Sequence, residues 1–355
     1  MPSPALAAFI RALPKAELHL HLEGSVTPKL ARRLARRRGV VLPGVDLEDE
    51  AADLRGAFPF VDFSGFLRLY LAIASCLHEA EDFAEIVEDL GDRLAAQGVG
   101  YAEVTFTPAL HRHRGLADAP MLEGLAEGRR RVLERHDLLL RWVLDVVRIF
   151  PEQAEPTLGF ALALQARDPG AVVGLGLGGP EDRPHEVAPL RETFARARAE
   201  GLHSLPHAGE LDGPVRIWEA LRELGAERIG HGVRCLDDPA LVEHLVREGI
   251  PLEVCPSSNV CLGVVPSLAE HPLPRLLDAG LRVSLGSDDP PLFQTDLQQE
   301  YERVADAFGW GPSRLRALAG ASIEHAFMPA ERARRMQAAL AAVPAPPGHE
   351  GREAS

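Results

Sequence analysis

Eight short apolar runs alternate with longer helical patterns along a chain of 355 residues. That order predicts an α/β protein, a (β/α)8 TIM-type barrel with extra helices inserted after the first strand. Three observations carry the prediction: the number of runs, the helices between them, and a length normal for one barrel with insertions.

The runs read as strands at Glu17–Leu22, Tyr101–Phe106, Trp142–Val147, Val172–Leu177, Ser204–Ala208, Arg228–His231, Pro251–Cys255 and Arg282–Leu285. Between them, Asp82–Gln97, Gly124–His136, Val187–Ala199, Gly213–Leu224, Pro239–Glu248 and Leu273–Ala279 read as helices. Strands alternating with helices make parallel βαβ units. The spacing is uneven. Residues 23–100 separate the first two strands, far more than the roughly 30 residues of a simple βαβ unit. Extra helices centred on Leu30–Arg38, Val61–Leu77 and Asp82–Gln97 fill that gap. Barrel active sites lie under the loops at the strand C-terminal ends, so an insertion there is placed to form a lid. Phe58, Phe60, Phe63, Phe66 and Leu67 suit a lid over a flat ligand, and equally suit ordinary packing of an extra helix. Residues 1–342 read as a single domain. Residues 343–355, which include PAPPGHEGREAS, read as a disordered tail from their Pro, Gly and charge content.

Hydrophobic residues make up 46% and charged residues 25% of the chain, ordinary values for a globular protein. A net charge of −14 argues against nucleic acid or an anionic membrane as partner. It favours an enzyme of small molecules. No apolar run reaches the roughly 18 residues of a membrane span. The N-terminal stretch does not read as a signal peptide. Cys76, Cys235, Cys255 and Cys261 form no CxxC pair and no disulfide scaffold. They read as reduced thiols of a cytoplasmic protein, with Cys255 in the core and Cys261 undecided.

Four polar clusters stand at strand ends. In ELHLHLEGS, His19 and His21 are two residues apart on the first strand and share a face. Two imidazoles facing a barrel interior suit a metal, although HxH alone also occurs as unrelated histidines. In PHAGE, His207 ends the fifth strand and Glu210 follows in the loop. In RIGHGVR, His231 ends the sixth strand between two glycines that leave the imidazole open. In SLGSDDPPLF, Asp288 and Asp289 follow the eighth strand, and prolines then stop it. Each cluster alone could be a cap or a solvated turn. In a barrel all four meet on one rim.

The set HLHLEGS, HAGE, GHG and SDDP resembles the adenosine deaminase family of the amidohydrolase superfamily, in order, from about Leu13 to Phe327. The resemblance implies one zinc ion per chain on His19, His21, His207 and Asp288. It implies Glu210, His231 and Asp289 as the catalytic acid–base group, with Asp289 also touching the base. Gly179, in GLGLGGPE, matches the position whose backbone N–H meets purine N3. Three neutral imidazoles and one carboxylate suit zinc and leave room for a water. Glu210 must be protonated to serve ring N1, and a desolvated carboxyl meets that need.

Three rivals compete with this reading. Binuclear amidohydrolases bridge two metals with a carboxylated lysine on the fourth strand, but here that strand is VVGLGLGG and no lysine follows Lys29. Cytidine-deaminase zinc sites need HxE and PCxxC, whereas Cys255 and Cys261 are spaced as CPSSNVC. A catalytically inactive nucleoside-binding barrel would not need all seven reactive positions, and all seven are present.

Within the family the expected substrate is an adenine nucleoside, converted from 6-amino to 6-oxo with release of ammonia. Glu23 stands where adenosine-specific members generally carry Asp toward the ribose 5′-hydroxyl. It is a candidate substrate contact or a residue that only orients others. GLGGPE differs from the GLDSSE-type run of adenine deaminases. The block GLHSLPHAGE, IPLEVCPSSN and SDDPPLF resembles bacterial aminodeoxyfutalosine deaminases, which act on a menaquinone intermediate. The first expectation is therefore 6-aminodeoxyfutalosine or another 5′-modified adenosine, the second adenosine, the third adenine. Arg148 and Arg234 are candidates for the 5′ contact through a bidentate pair, or for ordinary salt bridging.

Overall fold

The computed structural model describes residues 2–45, 63–181 and 187–346. Eight strands follow one another around a single sheet: β1 (Lys15–His21), β2 (Val99–Phe106), β3 (Leu139–Val147), β4 (Val172–Gly178), β5 (His203–Ala208), β6 (Ile229–His231), β7 (Leu252–Val254) and β8 (Val283–Leu285). Every neighbouring pair is parallel. β8 returns to β1 through a parallel bridge between Leu20 and Asp288, with His21 N–H on Asp288 O and Asp288 N–H on His19 O, both at 2.9 Å. The ring is the (β/α)8 barrel the sequence predicts. β6, β7 and β8 are each shorter by a residue or two than their apolar runs.

Fifteen helices accompany the strands among the described residues: α1 (Pro4–Ala12), α2 (Pro28–Arg38), α3 (Phe63–Ala74), α4 (Ala80–Ala96), α5 (Pro108–His113), α6 (Asp118–His136), α7 (Ala154–Arg167), α8 (Arg191–Ala199), α9 (Pro214–Glu223), α10 (Pro239–Glu248), α11 (Pro256–Cys261), α12 (Leu273–Asp278), α13 (Leu297–Phe308), α14 (Pro312–His325) and α15 (Ala330–Ala342). Local chemistry starts and stops several of them. Ser3 and Thr27 accept from backbone N–H groups at the first turns of α1 and α2, each with Pro just inside. Gly39 ends α2 in a left-handed conformation that costs glycine little. α2, α3 and α4 fill the gap after β1 as expected. α7 is legible only weakly, because LGFALALQ is apolar on nearly every side.

The strands are buried on both faces, as a parallel sheet sheathed in helices requires. One large core lies between sheet and helices. A second, small cluster of Val143, Val173 and Leu205 on adjacent strands β3, β4 and β5 packs with Phe327. Among the described residues no helix is long and apolar enough to cross a membrane. Phe58 and Phe60 of the expected lid lie outside the described residues, as does the tail beyond 346. At residue 343 the chain is still packed: Val343 rests on the core and its carbonyl accepts from Arg316.

Candidate active site

A cavity opens at the C-terminal ends of the strands. His21 from β1, His207 from β5 and His231 from β6 reach it, with Asp288 and Asp289 from the turn after β8. Glu210 enters from the turn after β5 and Gly179 from the turn after β4. His19 joins them from the same face of β1, its Nε2 3.7 Å from Asp288 Oδ1. The residues expected for metal and for acid–base work are therefore gathered in one place.

Two of them carry unusual backbone. His231 has φ 61° and Asp288 has φ 62°, the left-handed region that L-residues avoid. Such a conformation costs of order 1–3 kcal/mol and persists only where surrounding structure imposes it. For Asp288 the imposition is visible in the two backbone bonds to β1 that close the barrel.

The donor set fits a tetrahedral ion. His21 Nε2 stands 3.2 Å from His207 Nε2 and 3.3 Å from Asp288 Oδ1. Ligand atoms held about 2.0–2.1 Å from zinc in a tetrahedron stand about 3.3 Å apart. His19 Nε2 is buried without a hydrogen-bond partner among the described residues. His19 Nδ1 lies 2.7 Å from Glu253 Oε2, which turns Nε2 toward the cluster. Ser258 donates to Asp288 Oδ2 at 2.6 Å and leaves Oδ1 to the histidines. Metal-type donor groups overlap here: His19, His21 and His207 form one, and His19, His231, Cys255 and Asp288 another. The Cys255 thiol is held well above its ordinary pKa by burial, then by Asp288, so it stays protonated.

Electrostatics sets the acid–base groups apart. Burial first, then the charges of Asp288 and Glu181, raises the Glu210 carboxyl well above the carboxylate range. Burial and Asp288 raise Asp289 likewise. Burial lowers His231, whose Nε2 is 3.6 Å from Glu210 Oε2. The turn that carries Glu210 is held from behind by Glu181. Its carboxylate accepts N–H bonds from Gly209, Glu210, Leu211 and Asp212 at 2.8, 2.9, 2.9 and 3.2 Å.

Glu23 is set back from the cavity. It is fully buried, and its carboxylate accepts from Thr107 N–H at 3.1 Å and meets His111 Nε2 at 3.1 Å. Tyr70 OH reaches its other oxygen at 3.5 Å. Phe66, Leu67 and Tyr70 of α3 line the cavity instead, Phe66 stacked on Phe293 at 5.2 Å. Arg148 also turns from the cavity: it donates to the carbonyl of His207 and lies 3.7 Å from Glu181. Arg234 does not line it either.

Several functional positions escaped the sequence reading. Glu181, Glu253 and Ser258 hydrogen-bond to residues of the site, and Asp145 lines the cavity. Glu253 in PLEVC and Asp145 in WVLDVV were visible as lone acids inside apolar strands. A buried acid needs a partner or a purpose. Glu253 has its partners: Arg228 bridges it to Glu103, and Arg228 Nη1 also donates to His325 O at 2.8 Å. That chain crosses the barrel interior from β2 to β7 and ends on His19.

Residues 14–343 match the family model described as adenosine deaminase. An aminodeoxyfutalosine deaminase of Streptomyces avermitilis is 38% identical over 339 residues, covering 94% of this chain and 92% of that protein. An adenine deaminase of Cupriavidus necator is 42% identical over 328 residues, covering 92% and 91%. Among solved structures, an amidohydrolase from Burkholderia ambifaria with bound Zn superimposes with a TM-score of 0.85 at 25% identity, covering 96% of this chain and 93% of that one.

Proposed function

This chain belongs to the adenosine deaminase family, hydrolytic deaminases acting on C–N bonds of amidines, and we propose that it deaminates an adenine nucleoside altered at the 5′ position, with one zinc ion per chain. The first candidate is 6-aminodeoxyfutalosine, the second adenosine. The observation that carries the choice is Glu23. It is fully buried behind the cavity lining, and its carboxylate meets Thr107 N–H, His111 and Tyr70, which makes it a support of the wall more than a partner for a ribose 5′-hydroxyl. The walls nearby are apolar, with Phe66, Leu67, Leu110 and Leu262, and suit an extended or deoxygenated 5′ end. Free adenine is the third candidate, favoured by the 42% identity to an adenine deaminase.

His19, His21, His207 and Asp288 would hold the zinc. When bound, it acts as a Lewis acid that makes the attacking water acidic near neutral pH. The remaining work falls to the chain itself. Glu210, protonated in its buried setting, gives a proton to ring N1 and makes C6 electrophilic. His231 takes a proton from the attacking water, and Asp289 orients that water. Gly179, at φ 94°, presents backbone to N3 from the cavity wall. Water oxygen adds at C6; His231 passes the proton it took to the 6-amino nitrogen, the C6–N bond breaks and ammonia leaves; the proton left on the C6 hydroxyl returns to Glu210, and the 6-oxo base keeps the proton on N1.

The test is kcat/KM on purified, zinc-loaded protein with adenosine, adenine, 5′-deoxyadenosine, methylthioadenosine and aminodeoxyfutalosine. Highest turnover on a 5′-modified nucleoside is expected. Activity on adenine alone would sink the nucleoside assignment.

A further inference from the structure

A carboxylate with no assigned role stands in the cavity wall. Asp145 lies on β3, two residues beyond Val143, so the two share a face of the strand. It is 3% exposed and lines the cavity. Its Oδ1 is buried with no hydrogen-bond partner among the described residues.

The neighbouring strand is shaped around it. A Cβ at Gly176 would stand 2.3 Å from Asp145 Oδ1, and one at Gly178 would stand 2.1 Å from Oδ2. Real Cβ atoms do not approach that closely, so β4 admits this carboxylate only because both positions are glycine. Burying a carboxyl without a partner is costly. Two glycines that accommodate such a group beside a ligand cavity indicate that its free lone pairs have a use.

Its position in the cavity says which part of a ligand it meets. Asp145 touches the space beside Gly178, one residue before Gly179. Burial raises its carboxyl to about 7, against the pull of His21 and Arg148. A purine met at N1 by Glu210 and at N3 by Gly179 turns its N9 edge away from Glu210. Asp145, against Gly178, stands at the Gly179 end of the cavity, the end toward which that pose turns N9.

We infer that Asp145 is a specificity-determining residue whose carboxylate accepts a hydrogen bond from the donor a substrate carries at or beyond N9. In a nucleoside the donor is a ribose hydroxyl; in a free purine it is N9–H. The inference rests on the deaminase reading of the cavity.

The experiment measures kcat and KM of zinc-loaded wild type, Asp145→Ala and Asp145→Asn. The substrates are adenosine with its 2′-, 3′- and 5′-deoxy analogues, and adenine with 9-methyladenine, which has a methyl group in place of the N9 proton. For wild type, removing the matching donor should lower kcat/KM about 2- to 100-fold, the span of hydrogen bonds to neutral and to charged acceptors. Asp145→Ala should lose the same factor on the donor-bearing substrate and almost nothing further on the analogue lacking it. Asp145→Asn, which keeps the shape and one acceptor, should fall between. If only the adenine pair shows the effect, the nucleoside reading fails and the role of Asp145 stands. Equal losses on every substrate, or no loss on any, overturn it. Wild type acting equally well on every donor and its analogue overturns it without any variant.

Discussion

Glu253 holds His19 by its Nδ1 at 2.7 Å, and so aims Nε2 at Asp288. Arg228 holds Glu253 in turn, and burial would otherwise raise that carboxyl; the Arg228 charge and His19 keep it down at about 2. A carboxylate behind a ligating imidazole fixes its tautomer and strengthens it as a donor. Glu253→Gln should therefore weaken zinc about 10- to 100-fold. A chelator competition on the purified variant reads this directly. An unchanged zinc affinity would remove Glu253 from the metal's support.

Glu210 is the acid in the proposed chemistry, and the metal donors do not include it. Glu210→Gln should keep one zinc per chain and lose about 10²- to 10⁴-fold in kcat, the range of a general acid. Metal analysis and turnover on the same sample separate the two effects. Wild-type kcat in this variant would show that the proton for N1 comes from elsewhere.

The barrel was legible because eight apolar runs and their helices repeat a simple order. The polar rim was legible because His19, His21, His207, His231, Asp288 and Asp289 end strands, where apolar patterning stops and a side chain stands out. The supports were harder. Glu181 acts through four backbone N–H groups of a turn 28 or more residues on, a relation no local pattern encodes. Glu103 on β2 lies 125 residues from Arg228 along the chain, and the two meet only across the barrel interior. Glu23 shows the opposite limit. Its position two residues past His21 left a substrate contact and a residue that only orients others both open, and its bonds to His111 on α5 and Tyr70 on α3 fit the second.

Glu181 gives a prediction of its own. Its two oxygens accept every N–H from Gly209 to Asp212. An amide accepts at one atom only, so Glu181→Gln leaves part of this set unpaired. Each buried unsatisfied donor costs about 1–3 kcal/mol. The variant should melt several degrees lower and should lose kcat, because the turn that presents Glu210 loosens. Thermal melting and steady-state kinetics check both. A variant with lower Tm and unchanged kcat would make Glu181 structural and nothing more.

Lys15 offers a test far from the cavity chemistry. It is fully buried at the start of β1, and its Nζ donates to Ile10 O and Leu13 O, each at 2.7 Å. Burial lowers it to about 7, against the opposing pull of Asp296. Two acceptors match the two N–H groups of a neutral amine; Tyr301, its ring centroid 5.9 Å away, offers a third proton only a ring face. Between pH 7 and the unfolded value of 10.5, the unfolded chain binds the extra proton and the folded chain does not. Stability from this group therefore rises with pH across that window, by at most about 1.4 kcal/mol per pH unit. Below pH 7 both states are protonated and the full cost of burying the charge is felt. Lys15→Met loses two hydrogen bonds at every pH but carries no titration. Thermal melts of the two proteins from pH 6 to 9 should show wild type gaining on the variant as pH rises. A constant difference across that range would mean that Lys15 keeps its charge in the folded barrel.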